Sequence, residues 1–228
     1  MSTPAQIITE VRDMLNEPTA AQWTDTMLRR WINEAGRDLA RVTRHIRRVN
    51  PVSLSAGFNS TTLDPDVIAV EAAFWNETGQ AEWTELEASH LEEFMRNAAN
   101  RPTAEGRPWF FTTMGSQPTV QFTIYPVPTS DGTLQLFEII IPAPIAEDGS
   151  TDDEAINIPY TWYDALADYC QYKAMLRDRD ELFREALQSY QEKRDALVVS
   201  PDYITANRNI IPNPSTGSYH PTWLTDPY

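Results

Sequence analysis

Ile158-Pro159-Tyr160-Thr161-Trp162-Tyr163-Asp164-Ala165-Leu166-Ala167-Asp168-Tyr169-Cys170, continued through Lys173 to Leu176, carries its apolar residues at the spacing of an amphipathic helix. Thr161, with Asp164 three residues on, is expected to cap its start. A second helix follows at once. Asp180 and Glu181 put negative charge at its positive N-terminal end, and Leu182, Phe183, Ala186, Leu187, Tyr190, Ala196 and Leu197 recur at helical spacing. A link this short makes the two helices antiparallel neighbours.

Beyond them the periodicity stops. Pro201, Pro212, Pro214, Pro221 and Pro227 each remove a backbone donor, while Tyr203, Ile210, Ile211, Tyr219, Trp223, Leu224 and Tyr228 remain as apolar anchors. Position alone allows a loose terminus. Composition favours an arm, residues 200–228, that docks on another protein, because few charges and several large rings are unfavourable left in water. At ~3.3 Å per residue such an arm reaches on the order of 90 Å, several times the roughly 17 Å radius of gyration of a 200-residue domain.

Towards the N-terminus, Thr3-Pro4-Ala5-Gln6 is a capping box with proline at the first helical position, and Ile7, Ile8, Val11 and Leu15 give one apolar face. After Glu17-Pro18, Thr24 is expected to cap a longer helix. Its inner face is Met27, Leu28, Trp31, Ile32, Ala35, Leu39, Val42 and Ile46, and it is expected to run nearly to Pro51. From there the period changes to two. Val52–Leu54, Thr61–Leu63, Val67–Trp75, Trp109–Thr112, Thr119–Tyr125 and Thr133–Ile141 read as strands separated by turn residues, with Val120, Phe122 and Ile124 alternating as a sheet with one wet face requires. Thr84 with Glu87 reads as another capping box, opening a short helix through Leu91, Phe94, Met95 and Ala98. The expected class is therefore α+β. A four-helix bundle of two N-terminal and two C-terminal helices (1–50 and 159–199) carries an antiparallel β-rich insert (51–158) and ends in the arm (200–228).

The 228 residues suffice for a real core. The single Cys170 excludes an internal disulfide and points to a reducing compartment. Ser2-Thr3-Pro4-Ala5 reads as a helix start and not a leader, and no stretch approaches the roughly 20 apolar residues of a membrane span, so a soluble protein made in a cytoplasm is expected. A net charge of −15 excludes a general nucleic-acid binder, whose phosphates would be repelled. The charge is uneven: between Asp25 and Arg48 seven arginines face only Asp25, Glu34 and Asp38.

Catalytic patterns are missing. His45, His90 and His220 are scattered, with no metal-ligand spacing, no nucleophile elbow, no phosphate-cradling loop and no dinucleotide fingerprint, so neither an enzyme nor a cofactor is expected. Asp148-Gly149-Ser150-Thr151-Asp152-Asp153-Glu154 is rich in oxygens. Its glycine is misplaced for a calcium loop and Pro159 stands where the bidentate glutamate belongs, so an acidic turn is the stronger reading.

Arg30, Arg37, Arg41, Arg44 and Arg48 are spaced by seven, four, three and four, along one side of the second helix. They are either a solvated face, with Glu34 pairing Arg30 and Arg37 and Asp38 pairing Arg41, or a docking surface for an acidic partner: a copy of this chain or a different ring, with DNA third. Sixteen arginines against two lysines suit fixed protein contacts. A separate reading makes the β insert a glycan- or host-binding module on a helical stalk, with Trp75, Trp83, Trp109 and Phe111 as platforms.

The run Ile158 to Tyr169, with Tyr172-Lys173-Ala174 and Phe183-Arg184-Glu185-Ala186-Leu187-Gln188-Ser189-Tyr190, resembles the C-terminal helix pair of bacteriophage head-to-tail adaptor (connector) proteins. Trp31-Ile32-Asn33-Glu34-Ala35-Gly36-Arg37-Asp38-Leu39-Ala40 is similar to their early helix, and Ile124-Tyr125-Pro126-Val127-Pro128 to their strand-then-proline turn. The resemblance implies a structural virion protein in the neck of a tailed phage, made in the host cytoplasm, whose copies (commonly about twelve) form a ring between the portal protein and a tail or nozzle protein. It implies arms that clasp the portal or an adjacent subunit, genomic DNA passing the lumen without sequence-specific binding, and no membrane partner. The β insert departs from the smallest such adaptors and is a candidate platform for the next tail protein.

Overall fold

The computed structural model describes residues 3–17, 22–90, 104–115, 119–152 and 157–198, with single positions 92 and 96. Helix α1 (Pro4–Met14) opens on the expected capping box: the Gln6 amide donates to Thr3 Oγ1 at 3.4 Å and the Thr3 amide to Gln6 Oε1 at 3.0 Å. Helix α2 (Asp25–Thr43) is capped by Thr24, whose hydroxyl accepts from the Met27 amide, and it buries Leu28, Trp31, Ile32, Ala35 and Leu39.

Helix α3 (Tyr163–Asp178) is entered through one 3-10 turn, Tyr160–Trp162. The Thr161 cap is not made. Trp162 holds the N-cap position with no side-chain bond, and its buried indole fixes the chain's entry instead. Helix α4 (Phe183–Val198) follows a turn in which Asp180 Oδ1 accepts from the Leu182 amide at 2.9 Å. It runs antiparallel to α3, and Asp168 on α3 accepts from Ser189 Oγ at 2.5 Å and Lys193 Nζ at 2.8 Å. The four helices share one core of Ile7, Val11, Leu28, Ile32, Leu39, Trp162, Leu166, Cys170 and Tyr190, joined by Ile46, Ile145 and Ile158 from the connections.

Helix α2 does not run to Pro51. It ends at Thr43 with Arg44 in the left-handed conformation (φ 51°), so Ile46 joins the helical core from outside the helix. Strand β1 (Arg47–Leu54) begins almost at once. With β2 (Ser60–Thr62), β3 (Val67–Glu77), β4 (Thr84–Ala88), β5 (Phe110–Met114), β6 (Gln121–Tyr125) and β7 (Gly132–Ile140) it forms a nearly closed seven-stranded sheet ordered β1-β7-β3-β4-β5-β6-β2. Every pairing is antiparallel except β4 with β5, which departs from the expected all-antiparallel insert.

Thr84–Ala88 is the second correction. The segment read as a capping box is strand, because Ala73 to Trp75 and Phe110 to Phe111 supply ladder partners on both sides that no local pattern reveals. Positions 92 and 96 are helical, and the apolar residues of the expected helix, Leu91, Phe94, Met95 and Ala98, lie outside the described residues. Inside the curled sheet Leu54, Leu63, Trp75, Leu86, Phe111, Phe122, Ile124, Leu134 and Leu136 form a second core, and partly buried Ile140 touches both cores.

Gly132 opens β7 directly against Trp75. A Cβ there would stand 2.3 Å from Trp75 Cζ2 and 2.6 Å from the Asn76 carbonyl oxygen. Neither a fully buried indole nor a strand backbone can retreat, so Gly132→Ala is expected to destabilise the fold by about 3 kcal/mol. An unchanged urea midpoint would show that this corner of the barrel is looser than its packing indicates.

Candidate interaction surface

Helix α2 divides its charges between two faces. Glu34 and Asp38 turn inward: Glu34 takes Lys173 Nζ at 2.7 Å and the Tyr169 hydroxyl at 3.2 Å, while Asp38 takes the Tyr190 hydroxyl at 2.6 Å and Arg194 at 3.6 Å. Burial, reinforced by these carboxylates, pushes both phenols well above their ordinary range, so they act as fixed donors. The expected pairs of Glu34 with Arg30 and Arg37, and of Asp38 with Arg41, are not made. Helix–helix packing recruits the acids across to α3 and α4, where their partners are less exposed.

The five arginines of the stripe separate accordingly. Arg30 reaches Glu147 (Nη2 to Oε2, 3.0 Å), and the hydrogen bond holds that carboxyl below its ordinary range. Arg48 lies on β1, off the helix, and is spent inside the fold: its guanidinium meets the buried Glu138 at 2.7 Å, Asp64 at 2.9 Å and Asp66 at 3.0 Å. Arg37, Arg41 and Arg44 are exposed. Arg37 Nε donates to the Asn33 carbonyl at 3.2 Å, and none of the three has an ion-pair partner among the described residues.

The loop after β7 is clamped onto the same helix. Buried Arg29 makes a two-point contact with Asp152 and donates to the Glu147 carbonyl at 3.3 Å, and Asn33 exchanges two 2.8 Å hydrogen bonds with the Ile145 backbone. The acidic turn is thus a structural clamp. Asp152 serves Arg29, and Asp148 Oδ1 accepts from the Ser150 amide at 3.0 Å. Among the described residues no group of three or more His, Cys, Asp or Glu is placed to hold a metal ion, and no helix is long and apolar enough to cross a membrane.

Arg194, on the last turn but one of α4, reaches Asp38, three residues before Arg41. Tyr203, Ile210, Ile211, Tyr219, Trp223, Leu224 and Tyr228 lie outside the described residues. The four proposed aromatic platforms divide in two. Trp75 and Phe111 are barrel core, whereas Trp83 (47 % exposed) and Trp109 (52 % exposed) face solvent. Sequence reasoning missed Glu138, although a lone carboxylate within Leu134–Ile141 was its signal, and it missed that Glu85 and Glu87 face outward on either side of buried Leu86.

No curated protein matches the chain. A solved structure described as the neck of an empty GTA particle computed with C6 symmetry aligns over 76 % of this chain and 80 % of that chain, at 16 % identity and a TM-score of 0.28. The model of the SU10 adaptor protein family matches residues 2–211, both helix pairs, the whole barrel and the first part of the proline-rich segment. The chain belongs to the SU10 adaptor protein family.

Proposed function

We propose that this protein is a structural component of a virion, a ring-forming head-to-tail adaptor that joins the portal to the tail and continues the DNA channel. The family match over residues 2–211 carries the reading. In it the packed helices form the ring wall as a four-helix bundle (1–50 and 159–199), the barrel (51–158) offers a platform to a tail or nozzle protein, and residues 200–228 clasp the portal. Arg37, Arg41 and Arg44 supply a second contact, with an acidic partner that is a neighbouring copy or a different ring. The net charge of −15 lets genomic DNA pass a lumen without adhering. The role is one of assembly and not of catalysis, in the neck of the particle after synthesis in the host cytoplasm. The glycan-binding alternative keeps only two of its four platforms at the surface.

Native mass spectrometry of the chain mixed with the portal ring of its own virus tests this. The expected result is a discrete increment of about a dozen copies on the portal ring, a closed assembly that the chain alone, self-associating only weakly, does not reach. A chain that stays monomeric and portal-free would remove the adaptor reading.

A further inference from the structure

Two exposed strips carry complementary chemistry that the described fold does not use. The first is Arg37, Arg41 and Arg44, at i, i+4 and i+7 of α2 and its cap, with exposed Val42 alongside. The second runs along β4: Leu86 points into the barrel, so its neighbours Glu85 and Glu87 point outward and are exposed, and Trp83, which immediately precedes the strand, is exposed too. Glu85 and Glu87 make no side-chain hydrogen bond or ion pair with any described residue. The lengths correspond. Seven residues of helix span about 10 Å, and four of strand about 13 Å.

We propose that these strips meet between copies of this chain, the α2 arginines of one on β4 of the next. Arg41 and Arg44 pair with Glu85 and Glu87, and a guanidinium stacks on the Trp83 indole. Copies of a chain with net charge −15 repel one another over most of their surface, so an approach led by this basic strip is the favourable encounter. Because the two strips are different surfaces of one molecule, the contact is heterologous, the kind that closes into a ring when its rotation closes. This inference rests on the ring-forming reading and names the contact that would build the ring.

A charge swap tests it in the full-length chain, by sedimentation equilibrium at low ionic strength where exposed charges are least screened. Arg41→Glu with Arg44→Glu, or Glu85→Arg with Glu87→Arg, is expected to weaken self-association at least ~10-fold, and the four changes together to return it within ~3-fold of the parent. A fourfold variant no tighter than either pair, or a parent chain that does not self-associate, overturns the contact. Thermal unfolding monitors each variant. Should a reversal unfold, glutamine at the same pairs of positions is expected to weaken association from either side, and glutamine variants that associate like the parent overturn the proposal equally. Portal loading is scored separately: loading without swap rescue removes this contact and keeps the adaptor, and rescue without loading does the reverse.

Discussion

Arg48→Met is expected to destabilise the fold by about 3–5 kcal/mol, because it strands a charge that the sheet has fully enclosed. Glu138 is 0 % exposed on β7, and Arg48 holds its Oε2 through Nε at 2.9 Å and Nη2 at 2.7 Å. Without the guanidinium, Asn50 is the one side-chain donor left among the described residues, reaching Oε1 at 3.2 Å. Asp64 and Asp66, which the same arginine gathers, would then face each other uncompensated. The second change that isolates the cause is Glu138→Leu in the Arg48→Met background. Removing both charges is expected to recover most of the loss, since a buried ion pair is worth little against a well-packed apolar pair while half of one is severely unfavourable. Urea midpoints read both variants. A single variant within about 1 kcal/mol of the parent would place this pair among ordinary surface bridges.

Ending the chain at Ser200 is expected to abolish portal loading and leave the unfolding temperature unchanged. The described cores are built from residues up to Leu197, and in the proposed reading they hold without the arm. The assembly does, in the proposed reading. An arm tethered to a docked body binds at a high effective concentration, and losing one of two linked contacts typically lowers avidity about 100-fold or more. Native mass spectrometry with the portal ring reads the outcome, and loading equal to that of the full chain would end the assignment of an interface to Tyr203, Ile210, Ile211, Tyr219, Trp223, Leu224 and Tyr228.

Local signals in this sequence are truthful where the structure is local. The Thr3 box, the Thr24 cap and most of the apolar faces of α2, α3 and α4 stand where their spacing puts them, with Val42, Leu176, Leu182 and Ala196 left exposed; the wet face expected of β6 does not, because Thr123 and Tyr125 are buried along with Phe122 and Ile124. The failures are non-local. Ile46 continues the helical spacing beyond Leu39 and Val42, yet Arg44 turns left-handed without the glycine that would announce a stop, and Ile46 reaches the same core by another route. Thr84 and Glu87 have the right offsets for a cap, and only the flanking strands make them a ladder. The interface reading fared likewise. Helical spacing identified a basic face but not that Glu147 takes Arg30 or that Glu138 takes Arg48, because those partners lie about ninety residues or more away in the chain.

The junction between helices and barrel has a mechanical consequence. Only three residues separate the end of α2 at Thr43 from the start of β1 at Arg47, and the Ile46 carbonyl is already held by the Ile140 amide at 3.0 Å. Strand β7 leaves the barrel just as tightly, with Ile145 pinned back to α2 by Asn33. There is no slack at this joint. A pull on the far loops travels down β1 and β7 as shear, loading eight register pairs together and not one after another, and arrives at a single helix. Tilting the barrel therefore pulls on α2 directly through these two short connections.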